Sequence, residues 1–190
     1  NFKKFNTLMQ KIKKEKIILL DEIIPNFTHY NSCIYQDFKD DIFSALNEAK
    51  QNLLKYKTLC LVFPKGFNYP YPTSIVQGFM FFCIINNIKS ELISQIHSLH
   101  KIKKNTAYIV VKESDLVNLI KNIRLSQLEL AQEVGVLSYN DTPLKEILSN
   151  GISVISTDFK AMGKTAAKTI IENKSVLQKN EFKFIERNSL

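Results

Sequence analysis

The chain has 190 residues, 45% of them hydrophobic, and a formal net charge of +8. This length and composition are sufficient for a substantial core in one or two units. They exclude a membrane-spanning helix, because no run of 18 or more apolar residues occurs. No signal peptide opens the chain, and because Asn1 is not an initiator methionine we expect a piece of a longer protein.

Apolar runs alternate with amphipathic segments along the chain. In chain order, strands are predicted at 16–20, 33–36, 58–63, 91–94, 106–111, 134–139, 152–156 and 182–185. Helices are predicted at 2–14, 37–56, 74–86, 115–126, 143–148 and 159–173, the second of them capped by Asp37. Strands that alternate with helices indicate an α/β fold with doubly wound parallel sheets.

The cysteines bear on the cellular compartment of the protein, and the net charge bears on its possible contact with DNA. The three cysteines are odd in number and lie in or near apolar runs, which favours reduced core residues in a cytoplasmic protein. Two lysine clusters, at 11–16 and 101–104, raise the question of DNA binding. Neither cluster is interleaved with aromatic residues, so the sequence favours solvated helix faces over direct DNA contact.

Motifs near the C-terminus resemble those of one family. They are Ser138-Tyr-Asn-Asp, Val154-Ile-Ser-Thr, Met162-Gly-Lys-Thr-Ala and the closing Phe184-Ile-Glu-Arg-Asn-Ser. The chain resembles the effector-binding core of LacI-type transcription regulators, most strongly over 134–190 and weakly over 87–130. The sequences of these motifs are most similar to those of a branch from Bacteroidetes-type bacteria, in which a GntR-type winged helix precedes the core.

The resemblance implies a periplasmic-binding-protein-like type I fold with two lobes. Residues 1–31 and 151–178 are then expected to form a partial N-terminal lobe, because two β–α units of that lobe are missing. Residues 36–149 and 179–190 are expected to form a complete C-terminal lobe. A DNA-binding winged helix is expected upstream and is absent from these 190 residues.

The resemblance also implies a sugar effector between the lobes, held by carboxylates, amides and an aromatic ring. Asp21 matches a sugar-binding aspartate, although an ordinary loop cap explains it equally well. Lys112 and Glu113 match an Asn-Asp pair in position only, which favours an acidic or phosphorylated sugar or else a lost contact. Asn140 and Asp141 match an Asp-Asp pair; Asp141 could instead cap the next helix.

A long loop between the third strand and its helix is a further candidate. It contains three prolines and is longer than most connections, which is typical of functional loops. Lys65 and Phe67 are candidate ligand contacts there, and packing of the aromatic residues among the prolines is the alternative. Ile75 stands where the family has an arginine that clamps sugar hydroxyls, so the identity of the ligand stays open.

The resemblance places a dimer seam after the Asn140–Asp141 pair. Leu144, Ile147 and Leu148 are the candidate residues, and a homodimer is expected. In such a dimer the effector would alter the angle between the lobes and so the affinity for operator DNA, which is bound through the missing domain.

No pattern in the sequence indicates catalysis or a cofactor. His97 and His100 lack the further ligands of a zinc site, and glycine-rich phosphate loops and nucleophile motifs are missing. We therefore predict a protein that is not an enzyme and uses no metal. The alternatives are a doubly wound enzyme acting on a sugar phosphate, supported only by Asp21 at a strand end, and a periplasmic sugar-binding protein.

Overall fold

The computed structural model of the chain describes residues 2–66 and 71–190. Within them the helices are α1 (Phe2–Met9), α2 (Phe38–Glu48), α3 (Lys50–Leu53), α4 (Ser74–Ile85), α5 (Glu113–Leu125), α6 (Pro143–Ile147) and α7 (Phe159–Ile171). The strands are β1 (Ile18–Asp21), β2 (Ser32–Tyr35), β3 (Thr58–Val62), β4 (Lys89–Ile93), β5 (Thr106–Val110), β6 (Val134–Tyr139), β7 (Ser153–Thr157), β8 (Leu177–Lys179) and β9 (Phe182–Ile185).

The chain divides into two compact units, each assembled from separate stretches of sequence. The smaller unit comprises the residues up to Asp37 together with Thr157–Glu181. The larger unit comprises Phe38–Ser156 together with Phe182–Leu190.

The smaller unit contains a parallel sheet with the strand order β1-β2-β8. Phe27 is buried beside this sheet, and the ring of Phe5 on α1 meets it edge-on at a centroid distance of 5.1 Å. The helix α1 therefore uses its aromatic side chain for packing within its own unit.

The larger unit is built on a sheet with the order β4-β3-β5-β6-β7-β9 among the described residues. The pairs from β4 through β7 are parallel. Every residue of β3, β5, β6 and β7 is buried. Strands buried throughout are typical of a sheet covered on both faces, which is what the continuous apolar runs predict.

Alternate residues of β3 enter two separate cores. Leu59 and Leu61 join the cluster formed with α2 and α4, while Cys60 and Val62 join the cluster formed with α5. All three cysteines of the chain are buried thiols, and burial raises the pKa of Cys60 to about 12. The sheet thus places its carboxyl-end loops between two packed helical layers.

The helices α2 and α4 approach each other closely at Gly78. A Cβ atom there would collide with the carbonyl oxygen of Lys39 and with the side chain of Ile42. Only glycine allows this approach, because α2 lies directly above the Cα atom.

The elements depart from the sequence prediction in three places. The helix predicted at 37–56 is interrupted at Ala49, although its buried face continues through Leu53. The helix predicted at 2–14 ends at Met9, and a separate 3₁₀ turn follows at Lys14–Lys16. The strand β8 was not predicted, since its three residues are all exposed and carry no apolar pattern.

Candidate functional site

The carboxyl ends of β3, β4 and β5 lie side by side and enclose a small cleft in the larger unit. Parallel strands that end at one edge are the usual ligand-binding location in α/β sheets. The cleft has a volume of about 260 Å³ and is lined by Pro64, Lys65, Ser94, Gln95, Lys112 and Asp115. We call this group the polar cleft.

Two lysines dominate the electrostatics of the polar cleft. Lys65 is exposed and Lys112 is half-buried, and both line the cleft. The carboxylate of Asp115 is buried and accepts a hydrogen bond of 2.8 Å from the amide of Ile96, so it fixes the loop after β4. The side chains most suited to an external charged group are therefore cationic.

A second cleft of about 490 Å³ borders the polar cleft, within the size range of small-molecule sites. Lys65 lines both clefts, and the ring of Tyr71 lines the larger one. Tyr71 meets Tyr139 at a centroid distance of 6.2 Å, so an aromatic side chain is held beside the end of β6. Burial raises the pKa of Tyr71, and the nearby Glu113 raises it further. The candidate contact Phe67 lies outside the described residues.

The hydroxyl clamp of the family has no counterpart at Ile75. This side chain is fully buried in the core between α4 and the sheet. A residue at this position of the present chain packs against other apolar side chains and does not line either cleft.

Asn140 follows β6 in a left-handed backbone conformation, with φ of 60°. Asparagine tolerates this region better than most residues. Its backbone amide donates a hydrogen bond of 2.8 Å to the carbonyl oxygen of Ile155, which connects the turn to β7. The side-chain oxygen Oδ1 is buried and has no hydrogen-bond partner in the described part of the chain. Such an acceptor typically costs about 1–3 kcal/mol unless a donor reaches it.

Lys145 stabilises the turn at Asn140 through hydrogen bonds to its backbone carbonyl groups. Its side chain is buried, and Nζ donates to the carbonyl oxygens of Tyr139 at 3.0 Å and Asn140 at 2.6 Å. Burial lowers the pKa of this amine, and the carboxylates of Glu113 and Asp141 oppose that change. Lys145 is not among the residues predicted from the sequence, because a lysine on a short amphipathic helix normally faces solvent.

Asp141 is engaged by Arg187 in a bidentate ion pair. Arg187 Nη1 and Nη2 donate to the two carboxylate oxygens at 2.9 and 2.8 Å, and Nη1 also donates to the carbonyl oxygen of Ile152. The hydrogen bonds from Arg187 are the main reason that the pKa of Asp141 is lowered. The helix cap is Thr142, not Asp141. In this structure Asp141 acts as an anchor of the turn.

Glu113 begins α5 and is exposed, and it accepts a hydrogen bond of 3.4 Å from the hydroxyl of Thr142. This bond joins the loops that follow β5 and β6.

The helix α6 carries the candidate dimer residues. The side chains of Leu144 and Ile147 are 49% and 76% exposed, whereas Leu148, just after the helix, packs partly against the core beside α5. The helix α6 thus presents two apolar side chains to solvent.

The smaller unit has a similar arrangement at the ends of its own strands. Asp21, the last residue of β1, has a φ of 82° and accepts hydrogen bonds from the backbone and the side-chain amide of Gln36. Gln36 directly follows β2, and its oxygen Oε1 is buried without a partner among the described residues. Asp21 itself is exposed. Each unit therefore holds one unpartnered amide oxygen just beyond a strand.

Across residues 2–66 and 71–190, no three histidine, cysteine, aspartate or glutamate side chains are grouped as metal ligands would be. Within these ranges, no helix combines the length and the apolar character needed to cross a bilayer.

The model of the periplasmic binding protein-like domain matches residues 84–183, slightly more than half of the chain. The chain belongs to this family. The match includes the stretch between 87 and 130, where the resemblance read from the motifs is weakest. No curated protein matches the sequence significantly.

Several solved structures with a similar fold are described as LacI-type regulators. One, from a Rhodococcus species, has a TM-score of 0.78 at 12% identity and matches 100% of this chain and 74% of its own. Another, from Enterococcus faecalis V583 with bound ribose, has a TM-score of 0.72 at 16% identity. The match covers 100% of the present chain and 73% of that protein.

A periplasmic binding protein/LacI regulator from Alkaliphilus metalliredigens, in complex with D-xylulofuranose, has a TM-score of 0.63 at 16% identity. The match covers 98% of the present chain and 83% of that protein. The α/β fold of LacI effector-binding domains, predicted from the motifs, is confirmed.

Proposed function

We propose that this chain is the effector-sensing domain of a bacterial transcription regulator, and that its effector is a sugar derivative with a negatively charged group. The effector would contact Asn140 and the polar cleft of the larger unit. Asp21 is a separate candidate ligand contact within the smaller unit. Binding of the effector would be coupled to operator DNA through a winged-helix domain of the longer protein, acting as a cytoplasmic homodimer.

The observation that carries the proposal is the buried, unpartnered Oδ1 of Asn140 at the carboxyl end of β6. A sugar presents several hydroxyl donors, and one of them would satisfy this acceptor. The same reasoning applies to Oε1 of Gln36 in the smaller unit. Two acceptors that lack internal donors are what a domain built to bind a polyol requires.

The charge of the effector is inferred from Lys65 and Lys112. Both line the polar cleft, and the carboxylate of Asp115 beside them already accepts a bond from Ile96. A carboxylate or phosphate group on the sugar would form charge-assisted hydrogen bonds with the two lysines. Neutral pentoses are bound by neighbours of this fold, and the lysines support an acidic relative of such ligands here.

Titration calorimetry with matched sugars tests this proposal. The panel pairs neutral pentoses and hexoses with their phosphates and uronic acids. We expect an acidic member to bind, and Asn140→Ala to weaken it about tenfold or more, since a lost hydrogen bond to a buried group costs about 1–3 kcal/mol. The control is Asn47→Ala, an exposed residue whose side chain bonds only its own helix.

A second variant separates charge recognition from sugar recognition. Lys112→Met should reduce affinity for the acidic ligand and leave affinity for the matching neutral sugar nearly unchanged. If no member of the panel binds, or if Asn140→Ala binds as tightly as the parent protein, the sensor proposal is wrong. If only neutral sugars bind, the charge assignment is wrong and the sensor proposal stands.

A further inference from the structure

The two lysine clusters of the sequence have opposite environments in the structure. In the second cluster, Lys103 pairs with Glu91 at 2.6 Å and Lys104 pairs with Glu133 at 2.6 Å. Their charges are therefore balanced locally. The first cluster is not balanced in this way, and this difference cannot be read from the lysine spacing.

The first 16 residues contain six lysines and one acidic residue, Glu15, and so hold five of the chain's eight net positive charges. The lysines are Lys3, Lys4, Lys11, Lys13, Lys14 and Lys16. All six are exposed. Among the described residues, none of the six takes part in an ion pair.

Part of this lysine-rich segment, residues 3–11, forms a groove. Lys3, Lys4 and Lys11, with Thr7 and Leu8, line a groove of about 310 Å³ along α1. We call these five residues the lysine groove. Three lysines without ion-pair partners that line one groove would suit a partner with several negative charges in a row.

We propose that the lysine groove binds the phosphate backbone of duplex DNA without reading its sequence. Lysine is a point charge that suits phosphates, whereas base recognition mostly uses the planar donors of arginine, asparagine or glutamine. The chain's two arginines, Arg124 and Arg187, lie outside the groove. The groove therefore adds affinity and not sequence specificity, separately from any winged helix.

The packing of α1 favours DNA over an anionic membrane. A helix that binds membranes inserts a continuous apolar face into the lipid. The aromatic ring of Phe5 instead packs on buried Phe27, and Leu8 is the single apolar side chain that lines the groove. The other four residues that line the groove, Lys3, Lys4, Thr7 and Lys11, are polar or charged.

The test measures binding of the 190-residue chain to two unrelated fluorescent duplexes by anisotropy at several salt concentrations. About three phosphate contacts predict a slope of log K against log salt of roughly −2.7, with equal affinity for both duplexes. The triple variant Lys3→Gln, Lys4→Gln, Lys11→Gln should lose most of that slope and bind at least about tenfold more weakly at 50 mM salt.

The matched control removes the same charge elsewhere. Lys50, Lys57 and Lys121 are exposed and lie outside the groove, so their triple change to Gln should leave the slope unchanged. The triple change of the groove lysines to Arg should preserve binding and shows that the surface tolerates substitution. Circular dichroism verifies that each variant is folded.

Three results would overturn the proposal. They are no DNA binding at 50 mM salt, equal losses in the groove and control variants, and binding to phosphatidylserine vesicles in place of DNA. The calorimetric response to sugars is measured on the same variants, and it should not change. Failure of DNA binding with an intact sugar response would leave the sensing proposal untouched.

Discussion

Replacement of Arg187 is the most direct test of how the Asn140 turn is held. Arg187→Met keeps most of the aliphatic stem and removes the guanidinium from a side chain that is only 15% exposed. The change eliminates two charge-assisted bonds to Asp141 and one to the carbonyl oxygen of Ile152. It also leaves the carboxylate of Asp141, 25% exposed, without its cation.

The expected loss is about 2–4 kcal/mol, because removal of one partner strands a partly buried charge. For a chain of this length, each kcal/mol shifts Tm by about 2–4 °C, so Tm should fall by roughly 5–15 °C. The double variant Arg187→Met with Asp141→Asn should be less destabilised than the sum of the single variants, by about 1–3 kcal/mol.

Urea denaturation followed by far-UV circular dichroism measures these effects, since the chain has no tryptophan. Arg124→Met is the control, because Arg124 is exposed and makes one side-chain hydrogen bond, to Ser149 at 3.2 Å. It should cost no more than about 0.5 kcal/mol. If Arg187→Met costs as little as this control, or if the double variant is additive, the anchoring argument is refuted.

Three further predictions concern packing, pH and assembly. Gly78→Ala should destabilise the chain by about 1–3 kcal/mol in urea denaturation, while Gly163→Ala, with nothing within 4 Å of its added Cβ, should stabilise α7 by up to about 1 kcal/mol. The pKa of Asp141 is lowered in the folded chain. Its contribution to the free energy of unfolding is therefore present above the usual aspartate pKa range and is lost as pH falls through the folded pKa. Asp141→Asn should reduce the loss of stability at acid pH. Ile147→Glu should shift sedimentation towards monomer, whereas Ile171→Glu, at an 83% exposed side chain on α7, should not; equal shifts would argue against α6 as the seam.

The central strands of the larger sheet could be predicted because their residues are buried on both faces. The apolar runs that become β3, β5 and β6 carry that information locally. By contrast, β8 exists because the backbone of β2 offers it a pairing edge, and its own residues are all exposed. Such a strand depends on tertiary contact and leaves no local pattern.

The candidate site divides in the same way. Lys112 and Asn140 are candidates because they lie just after buried strands and match family positions, and their roles stay predictions. The supporting roles of Lys145 and Arg187 could not be predicted. Lys145 is a buried lysine on a short helix, and Arg187 contacts a group from elsewhere in the chain. Arg187 reaches Asp141 across 46 positions of sequence, and the burial of Lys145 depends on how α6 docks beneath the turn.

These supports define what the ligand must supply. Arg187 occupies the carboxylate of Asp141, and Lys145 occupies the carbonyl oxygens of Tyr139 and Asn140. These contacts hold the turn from within the chain, so binding should lose little ordering entropy there. Among the described residues, the amide acceptor that lacks a partner at this turn is Oδ1 of Asn140. Under the proposed function, a ligand that donates a hydrogen bond there would gain the full value of a buried contact, whereas one without a donor would leave the acceptor unsatisfied. The turn would then select for a hydroxyl-bearing ligand.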